Sequence, residues 1–133
     1  MGEIGTVFVF ERSPYWTPEL QRQLDPAEVT VRRCRSVADV QRLAFPPSGA
    51  AQDDPRVILL DLQSGPADCL QLLGTGLPQV HQVPLIVYAS RRAADLEWPL
   101  REAGATDVIV EHVPGRAMAR LCRRLLLRCQ PIG

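Results

Sequence analysis

The chain has 133 residues, which is enough for one domain with a buried core and too few for two domains of ordinary size. Charged residues make up 23% of it and the formal net charge is zero, so the charge balance does not point to nucleic acid as a partner. No run approaches the roughly 20 apolar residues that cross a bilayer, and the N-terminus lacks the basic start and cleavage site of a signal peptide, so we expect no membrane contact and no export.

Short apolar runs alternate with segments of helical periodicity along the whole chain. Five of the runs are too short for amphipathic helices and predict buried strands. Each is followed by a segment that could pack one apolar face on a sheet. In chain order, the patterns predict a strand over residues 6–10, a helix over 17–24, a strand over 28–31 that 32–35 continue outward, a helix between Ser36 and residues 45–47, a strand over 56–60, a helix over 66–73, a strand over 84–88, a helix over 93–103, a strand over 108–110 and a last helix over 115–129.

Local signals mark where several of these helices begin, end or bend. Ser36 is a suitable N-cap, and the prolines at 46–47 should end the same helix because they offer no backbone donor. Residues 48–55 are polar and predict a loop. Residues 74–78, GTGLP, are interpreted as a turn that ends the third helix, which carries leucines at positions 70 and 73. Pro99 should kink the fourth helix or split it in two.

The last predicted helix has two different faces. Met118, Leu121 and Leu125 are spaced to face inward, with Cys122 beside them. The other face carries five arginines, which are Arg116, Arg120, Arg123, Arg124 and Arg128. This basic face is either a solvated surface or a recognition surface for an acidic partner or a second copy of the chain.

Five apolar strands that alternate with helices are typical of a parallel sheet covered on both faces. Right-handed crossovers and the strand order 2-1-3-4-5 satisfy this pattern compactly. We therefore expect an α/β, doubly wound (βα)5 fold of the flavodoxin-like kind, as one domain over residues 1–133. Functional residues of such a sheet gather at the carboxyl ends of its central strands, which here follow Phe10, Leu60, Tyr88 and Val110.

Several kinds of chemistry find no support in the residues. All fifteen basic residues are arginine, so a mechanism that needs a lysine is excluded. His81 and His112 fall in predicted loops without a nucleophile and an acid at diagnostic spacing, and no glycine-rich phosphate loop is present, so no cofactor is indicated. The four cysteines lack CxxC spacing, which predicts buried, small hydrophobic side chains in a reducing, cytoplasmic setting; they are Cys34, Cys69, Cys122 and Cys129.

Four segments, in the right order and spacing, resemble the receiver domains of bacterial response regulators. Residues 57–73, VILLDLQSGPADCLQLL, resemble the family's third strand and following helix, with Asp61 in the place of the phosphoaccepting aspartate. Residues 101–114, REAGATDVIVEHVP, resemble its E-A-G-A-D-D-Y-L-x-K-P segment. Residues 84–90 resemble P-V-I-x-L-T-A, and 10–14 resemble D-D-E-P. The resemblance covers nearly the whole chain and implies the receiver fold.

The same resemblance indicates that the phosphate pocket is altered. Two acids of the family hold Mg²⁺ beside the phosphoacceptor; Glu11 takes the first place with a longer side chain, and Arg12 falls on the second. Glu111 replaces the lysine that pairs with the phosphoryl group, and His112 replaces the following proline. The positive charges that a transferring phosphoryl group needs are therefore largely missing.

The residues that transmit phosphorylation in the family are also replaced. Ala89 stands where a hydroxyl side chain belongs, and Val108 stands where an aromatic ring belongs. Ser90 comes one position late, and strand alternation would point it to the opposite face. We expect no two-state switch of the usual kind.

Three interpretations of the altered pocket follow. Arg12 could fork onto Asp61 or Glu111 and lock the crevice without a metal. Alternatively, these residues are solvated charges at the ends of loops. In the third interpretation, Glu11 and Asp61 retain a weak Mg²⁺ site and Asp61 is phosphorylated.

The leading functional hypothesis is a pseudo-receiver, a non-enzymatic module that docks a protein partner, an output domain or a second copy of the chain. Trp98, Arg120 and Arg124 are the candidate contact residues. The aromatic pair Tyr15 and Trp16 is interpreted as packing on the first helix, with a partner-facing anchor as the alternative. A phosphoaccepting receiver with a non-standard metal site and a flavodoxin-like binder of a small ligand are the alternatives to the pseudo-receiver.

Overall fold

A computed structural model describes residues 3–46 and 54–129 and shows a five-stranded parallel sheet in the order 2-1-3-4-5. The first strand lies between the second and third strands, and every neighbouring pair is parallel. Because Asp61 of the third strand pairs with Tyr88 of the fourth, the residues after these strands reach the same edge of the sheet. The predicted fold class and strand order are confirmed.

The elements lie close to their predicted bounds. The strands are β1 (Gly5–Phe10), β2 (Val29–Cys34), β3 (Arg56–Asp61), β4 (Leu85–Tyr88) and β5 (Asp107–Ile109). The helices are α1 (Trp16–Gln23), α2 (Val37–Ala44), α3 (Pro66–Gly74), α4 (Leu77–Val80), α5 (Glu97–Glu102) and α6 (Gly115–Arg128), with 3₁₀ segments over Leu62–Ser64 and Arg91–Leu96. Most of the predicted loop over residues 48–55 lies outside the described residues. No described helix is both long enough and apolar enough to cross a membrane.

Two apolar cores cover the two faces of the sheet, as a doubly wound fold requires. One core joins the sheet to α2, α3 and α5 through residues such as Val40, Leu72 and Leu100. The other joins it to α1 and α6 through residues such as Leu20 and Leu126. Alternate residues of β1 and β3 enter opposite cores, which explains why both strands read as continuous apolar runs.

Local signals for helix ends are mostly confirmed. The side chain of Ser36 accepts a hydrogen bond from the Asp39 amide at 3.1 Å and caps α2. The predicted fourth helix splits into a 3₁₀ segment and α5, and Pro99 lies in the first turn of α5, where its missing N–H has no intrahelical partner to lose.

The predicted helix over residues 66–73 is present as α3, and one expectation about its end is wrong. Of the two leucines that indicated this helix, Leu73 is buried and Leu70 is exposed, because Cys69, Leu72 and Leu73 fill the core side. Residues 74–78 do more than end a helix, since the short helix α4 begins within them after Gly76, which has a φ of 71°.

Candidate functional site

The carboxyl edge of the sheet brings together the loops that follow β1, β3, β4 and β5. Asp61 is the last residue of β3 and is half-buried, and Glu11 and Arg12 directly follow the central strand β1. We call this region the carboxyl-edge crevice, defined by Glu11, Arg12, Asp61, Ser64, Ser90 and Glu111. It is the place where α/β sheets carry their functional residues.

Asp61 accepts a hydrogen bond from a neighbour that the sequence had not singled out. The Ser64 hydroxyl donates to Oδ2 of Asp61 at 2.7 Å, and the backbone N–H of Arg12 donates to the same hydroxyl oxygen at 2.9 Å. Ser64 is buried at the end of the 3₁₀ segment that follows β3. The chain from Arg12 through Ser64 to Asp61 therefore ties the loop after β1 to the aspartate.

Glu11 turns its carboxylate toward the start of α1. Its Oε1 accepts from the amides of Tyr15 at 3.1 Å and Trp16 at 2.9 Å, and its Oε2 accepts from the amide of Thr17 at 2.8 Å. The side chain is fully buried, with 1% of the residue exposed. Residue 18 is a proline without an N–H, so Glu11 satisfies both free amides of the first helical residues.

Arg12 does not form the predicted internal ion pair. It is exposed, and among the described residues no ion pair or hydrogen bond joins its guanidinium to Asp61 or Glu111. Only its backbone takes part in the crevice, through the N–H donated to Ser64. The hypothesis that Arg12 forks onto an acid and locks the crevice is contradicted, because the hydroxyl of Ser64 takes that place beside Asp61.

A different arginine holds the loop after β1. Nη2 of Arg33, on the edge strand β2, donates to the carbonyl oxygen of Glu11 at 3.2 Å and also contacts that of Arg12 closely. Its Nε is buried and has no partner among the described residues. The sequence of β2 does not distinguish Arg33 from its neighbours, because the strand pattern predicts several outward-facing charges there.

We expect Arg33→Met to lower the free energy of unfolding by about 1–2 kcal/mol, because two loop carbonyls lose a charged donor while the aliphatic stem is kept. Urea unfolding followed by circular dichroism measures this loss. The matched control is Arg32→Met, one residue away and exposed, which should change stability by no more than about 0.5 kcal/mol. Equal losses in both variants would show that Arg33 acts only as a surface charge.

The residues present do not fit the Mg²⁺ ion that the resemblance implies. Both oxygens of Glu11 are used by backbone amides, and the second acidic position holds the exposed Arg12. One oxygen of Asp61 accepts from Ser64. Within residues 3–46 and 54–129, no three side chains of His, Cys, Asp or Glu are grouped so that they could hold a metal. The weak metal candidates Glu11 and Asp61 therefore do not form a pair of free ligands.

The loop after β4 is built differently from the strand-based expectation. Ala89 is fully buried, and Ser90 has a φ of 63° and a ψ of 170°, so the strand alternation stops before it. Its hydroxyl accepts a hydrogen bond from Nε2 of Gln63 at 2.7 Å. Ser90 thus bridges the loops after β3 and β4, and the strand alternation that was expected to set its direction does not extend to it.

On the β5 side, the residue expected in the place of a switch aromatic is buried, whereas the polar residues that follow the strand are exposed. Val108 is buried in the core beside Ala89. Glu111 and His112 are exposed, and among the described residues no ion pair includes Glu111. The ring of His112 lies 6.4 Å from that of Tyr15, which is 45% exposed.

The two members of the predicted aromatic pair after β1 differ in exposure. Trp16 is buried and packs edge-on against Tyr88, so only Tyr15 is available to a partner.

Burial favours the neutral forms of three cysteines and one tyrosine. Burial, together with the neighbouring carboxylates of Asp61 and Asp68, raises the pKa of the Cys69 thiol to about 12. Burial also raises the pKa of Tyr88, with smaller contributions from Tyr15 and Asp61. Burial raises the pKa of Cys34 to about 11 and that of Cys122 to about 12. Such thiols are poor nucleophiles and metal ligands. Cys34, Cys69 and Cys122 are buried as predicted, whereas Cys129 is only half-buried.

The candidate contact residues lie on the outer surfaces of α5 and α6. Trp98 is 69% exposed, and Arg120 and Arg124 are also exposed. Arg120 lines a groove between α6 and α1, whereas Arg124 is not among the residues of that groove. Trp98 lies outside this groove as well, and a single contact face that joins the three residues stays a prediction.

Solved structures of receiver domains share this fold. The chain superposes on full-length FixJ from B. japonicum with a TM-score of 0.73 and 16% identity, over 97% of this chain and 61% of that one. For the signal receiver domain of a histidine kinase from Syntrophus aciditrophicus the TM-score is 0.72 and the identity 20%, over 97% and 95% of the two chains. For a response regulator from Thermotoga maritima the values are 0.71 and 15%, over 92% and 98%.

These likenesses confirm the resemblance at the level of the fold. The chain has the fold of a response-regulator receiver domain, and it spans less than two thirds of full-length FixJ. No protein-family model matches the chain, and no curated protein matches its sequence.

Proposed function

We propose that this chain, whose fold is that of a receiver domain, is a pseudo-receiver in two-component signalling. It is a non-enzymatic, cytoplasmic module that acts through contacts with a protein partner or an output domain. A phosphoryl group on Asp61 is not its signal.

One observation carries this proposal, namely that the carboxylate of Glu11 is committed to the start of α1. A receiver needs free acids beside the phosphoacceptor because a metal ion must neutralise the charge of the transferring group. Here three amides occupy the only acid beside Asp61 that β1 supplies. Releasing it would leave the buried amides of Trp16 and Thr17 without partners.

The remaining positions support the same conclusion. Ser64 engages Oδ2 of Asp61, so a phosphoryl group that attaches to this oxygen would break the chain from Arg12 through Ser64. Glu111 adds a negative charge on the β5 side in the place of a positive one. Ala89 and Val108 are buried, small and apolar, so neither a mobile hydroxyl nor a rotating ring is present to change the outer surface.

The surface around α5 is the proposed site of one protein contact. Trp98 is the most exposed large aromatic side chain among the described residues, and Leu96 beside it is 37% exposed. Tryptophan is among the residue types that are enriched at the energetic centres of protein interfaces.

We expect no phosphorylation of Asp61 by a small-molecule phosphodonor such as acetyl phosphate, with or without Mg²⁺. Intact-mass spectrometry measures the covalent phosphoryl group. Tryptophan fluorescence of a Trp98→Phe background, in which only Trp16 against Tyr88 emits, reports binding of beryllofluoride. A receiver domain that is known to accept phosphate serves as the positive control, and Asp61→Asn serves as the negative one.

A phosphoryl adduct that appears with Mg²⁺ and is lost in Asp61→Asn would overturn the pseudo-receiver and establish the phosphoaccepting alternative. An unchanged mass together with an unchanged fluorescence titration would support the proposal. A small molecule retained in native mass spectrometry of the purified chain would instead favour the flavodoxin-like alternative.

A further inference from the structure

A groove with an apolar floor and basic walls runs between α1 and α6. Leu24 and Ala119 form the floor, and Gln23 lies at its α1 side. The basic residues of the groove are Arg116, Arg120 and Arg123. Its volume is about 230 Å³, below the roughly 300–1,000 Å³ of pockets that enclose small-molecule ligands. The groove therefore suits side chains of a protein segment better than a whole small molecule.

The positive charge of this groove is largely unneutralised. α6 carries five arginines and no acid over its fourteen residues, although the formal net charge of the chain is zero. Glu28 reaches Arg123, with Oε2 and Nη2 3.4 Å apart. Within the described part of the chain, no acid pairs with Arg116 or Arg120. Like charges that share one groove repel each other, and an acidic occupant would relieve this repulsion.

The walls of the groove are held in place before any partner arrives. Met118, Cys122 and Leu126 bury one side of α6 in the core, so the opposite side has a fixed orientation. The side chain of Glu19 on α1 lies directly against Gly115, where any added Cβ would collide with the carboxylate. A preformed groove lowers the ordering cost of binding, because α1 and α6 need not move.

We propose that the groove between α1 and α6 binds an acidic segment of a partner protein. Arg116 and Arg120 would bind its carboxylates through paired N–H donors, and an apolar side chain of the segment would cover Leu24 and Ala119. Glu28, which already pairs with Arg123, shows within the chain itself how a carboxylate meets this wall. This inference extends the proposed role as an interaction module and does not depend on the state of Asp61.

A protein segment is favoured over nucleic acid for two reasons. The groove has an apolar floor, and the arginines next to it on α6 come without aromatic side chains on which bases could stack. The rest of the chain balances the charge of α6, so the long-range attraction expected of a nucleic-acid-binding domain is weak.

The probe for this test is a short fluorescent peptide of alternating glutamate and leucine, and fluorescence anisotropy measures its binding. We expect binding that weakens with salt and becomes about tenfold weaker or more in Arg116→Glu/Arg120→Glu. The matched control is Arg91→Glu/Arg92→Glu, which makes the same charge change at two exposed arginines after β4. The control should bind within about twofold of the parent chain.

NMR chemical-shift changes should map to α1 and α6, and circular dichroism checks that each variant is folded. An alternating serine and glycine peptide should not bind.

The proposal is overturned by equal losses of affinity in the two double variants, by chemical-shift changes confined to α5, or by no binding of the acidic peptide. It is also overturned by a single-stranded DNA that binds the groove more tightly than the peptide. Phosphorylation of Asp61 in a chain that still binds the peptide would remove the pseudo-receiver proposal and leave this one standing.

Discussion

Glu11→Ala should lower the free energy of unfolding by about 3–5 kcal/mol, which is a large part of the total for a domain of this size. The substitution removes the acceptor of three backbone amides at the start of α1. The amides of Trp16 and Thr17 would be left without partners in a buried place, and the negative charge that complements the helix dipole would be lost. Urea unfolding followed by circular dichroism measures the change.

Two further variants test whether the length of the Glu11 side chain or its negative charge accounts for this stabilisation. Glu11→Asp keeps the charge but is one methylene shorter, so it should not reach all three amides and should cost about 1–3 kcal/mol. Glu111→Ala removes an exposed carboxylate from the same edge of the sheet and should change stability by no more than about 0.5 kcal/mol. If Glu11→Ala resembled Glu111→Ala, the carboxylate would not be a structural cap, and the main support for the pseudo-receiver proposal would be lost.

Gly5→Ala should destabilise the chain by about 2–4 kcal/mol. Gly5 has a φ of 153°, in the region that side chains rarely adopt. An added Cβ would lie 2.6 Å from Cδ2 of Leu126 and 2.6 Å from the carbonyl oxygen of Pro55. The carbonyl belongs to the backbone just before β3 and cannot rotate away as the end of the Leu126 side chain can, so β1 and β3 would have to shift.

Gly74→Ala is the matched control for this second prediction. Gly74 is the last residue of α3, and nothing lies within 4 Å of a Cβ added there. Because alanine favours the helix over glycine, this variant should be neutral or more stable by up to about 1 kcal/mol. Thermal unfolding of both variants distinguishes the two outcomes, and a Gly5→Ala variant that unfolds like the parent chain would contradict the argument from crowding and φ.

The sheet and most helices could be predicted from the sequence because their signals are local and mutually consistent. Residues 56–60 are apolar on both sides of the strand, as a central parallel strand requires, and Ser36 marks the start of α2 without any tertiary information. The outward-facing Leu70 shows the limit of the same reasoning. Leucines three apart predict one face of a helix, but which face meets the sheet depends on the neighbouring strands and on Cys69.

The crevice could be located from the sequence but its contacts could not. The resemblance placed Glu11 and Asp61 at the edge of the sheet, yet a residue that follows a strand is free to turn, and Glu11 turns toward the amides of α1. Pro18, which removes one donor from the first turn, is the only local hint of how the remaining amides are satisfied. Ser64 had a weaker signal, because a serine three residues after an aspartate in a tight turn can reach its carboxylate.

The role of Arg33 had no sequence signal at all. Its contact with the carbonyls of Glu11 and Arg12 joins residues 21 and 22 positions apart, and it depends on the pairing of β2 with β1. Tertiary contacts of a flexible, charged side chain follow from the fold and not from periodicity. This is why the arginine expected to act in the crevice was Arg12 and the one that holds its loop is Arg33.

The cap at the start of α1 also has a consequence for any redesign of this edge of the sheet. An Arg12→Asp substitution would supply one more acid but not a free pair, because the carboxylate of Glu11 already serves three amides at the start of α1. A metal site engineered here would first need a replacement cap for α1, since withdrawing Glu11 without one leaves buried amides unpaired and destabilises the domain.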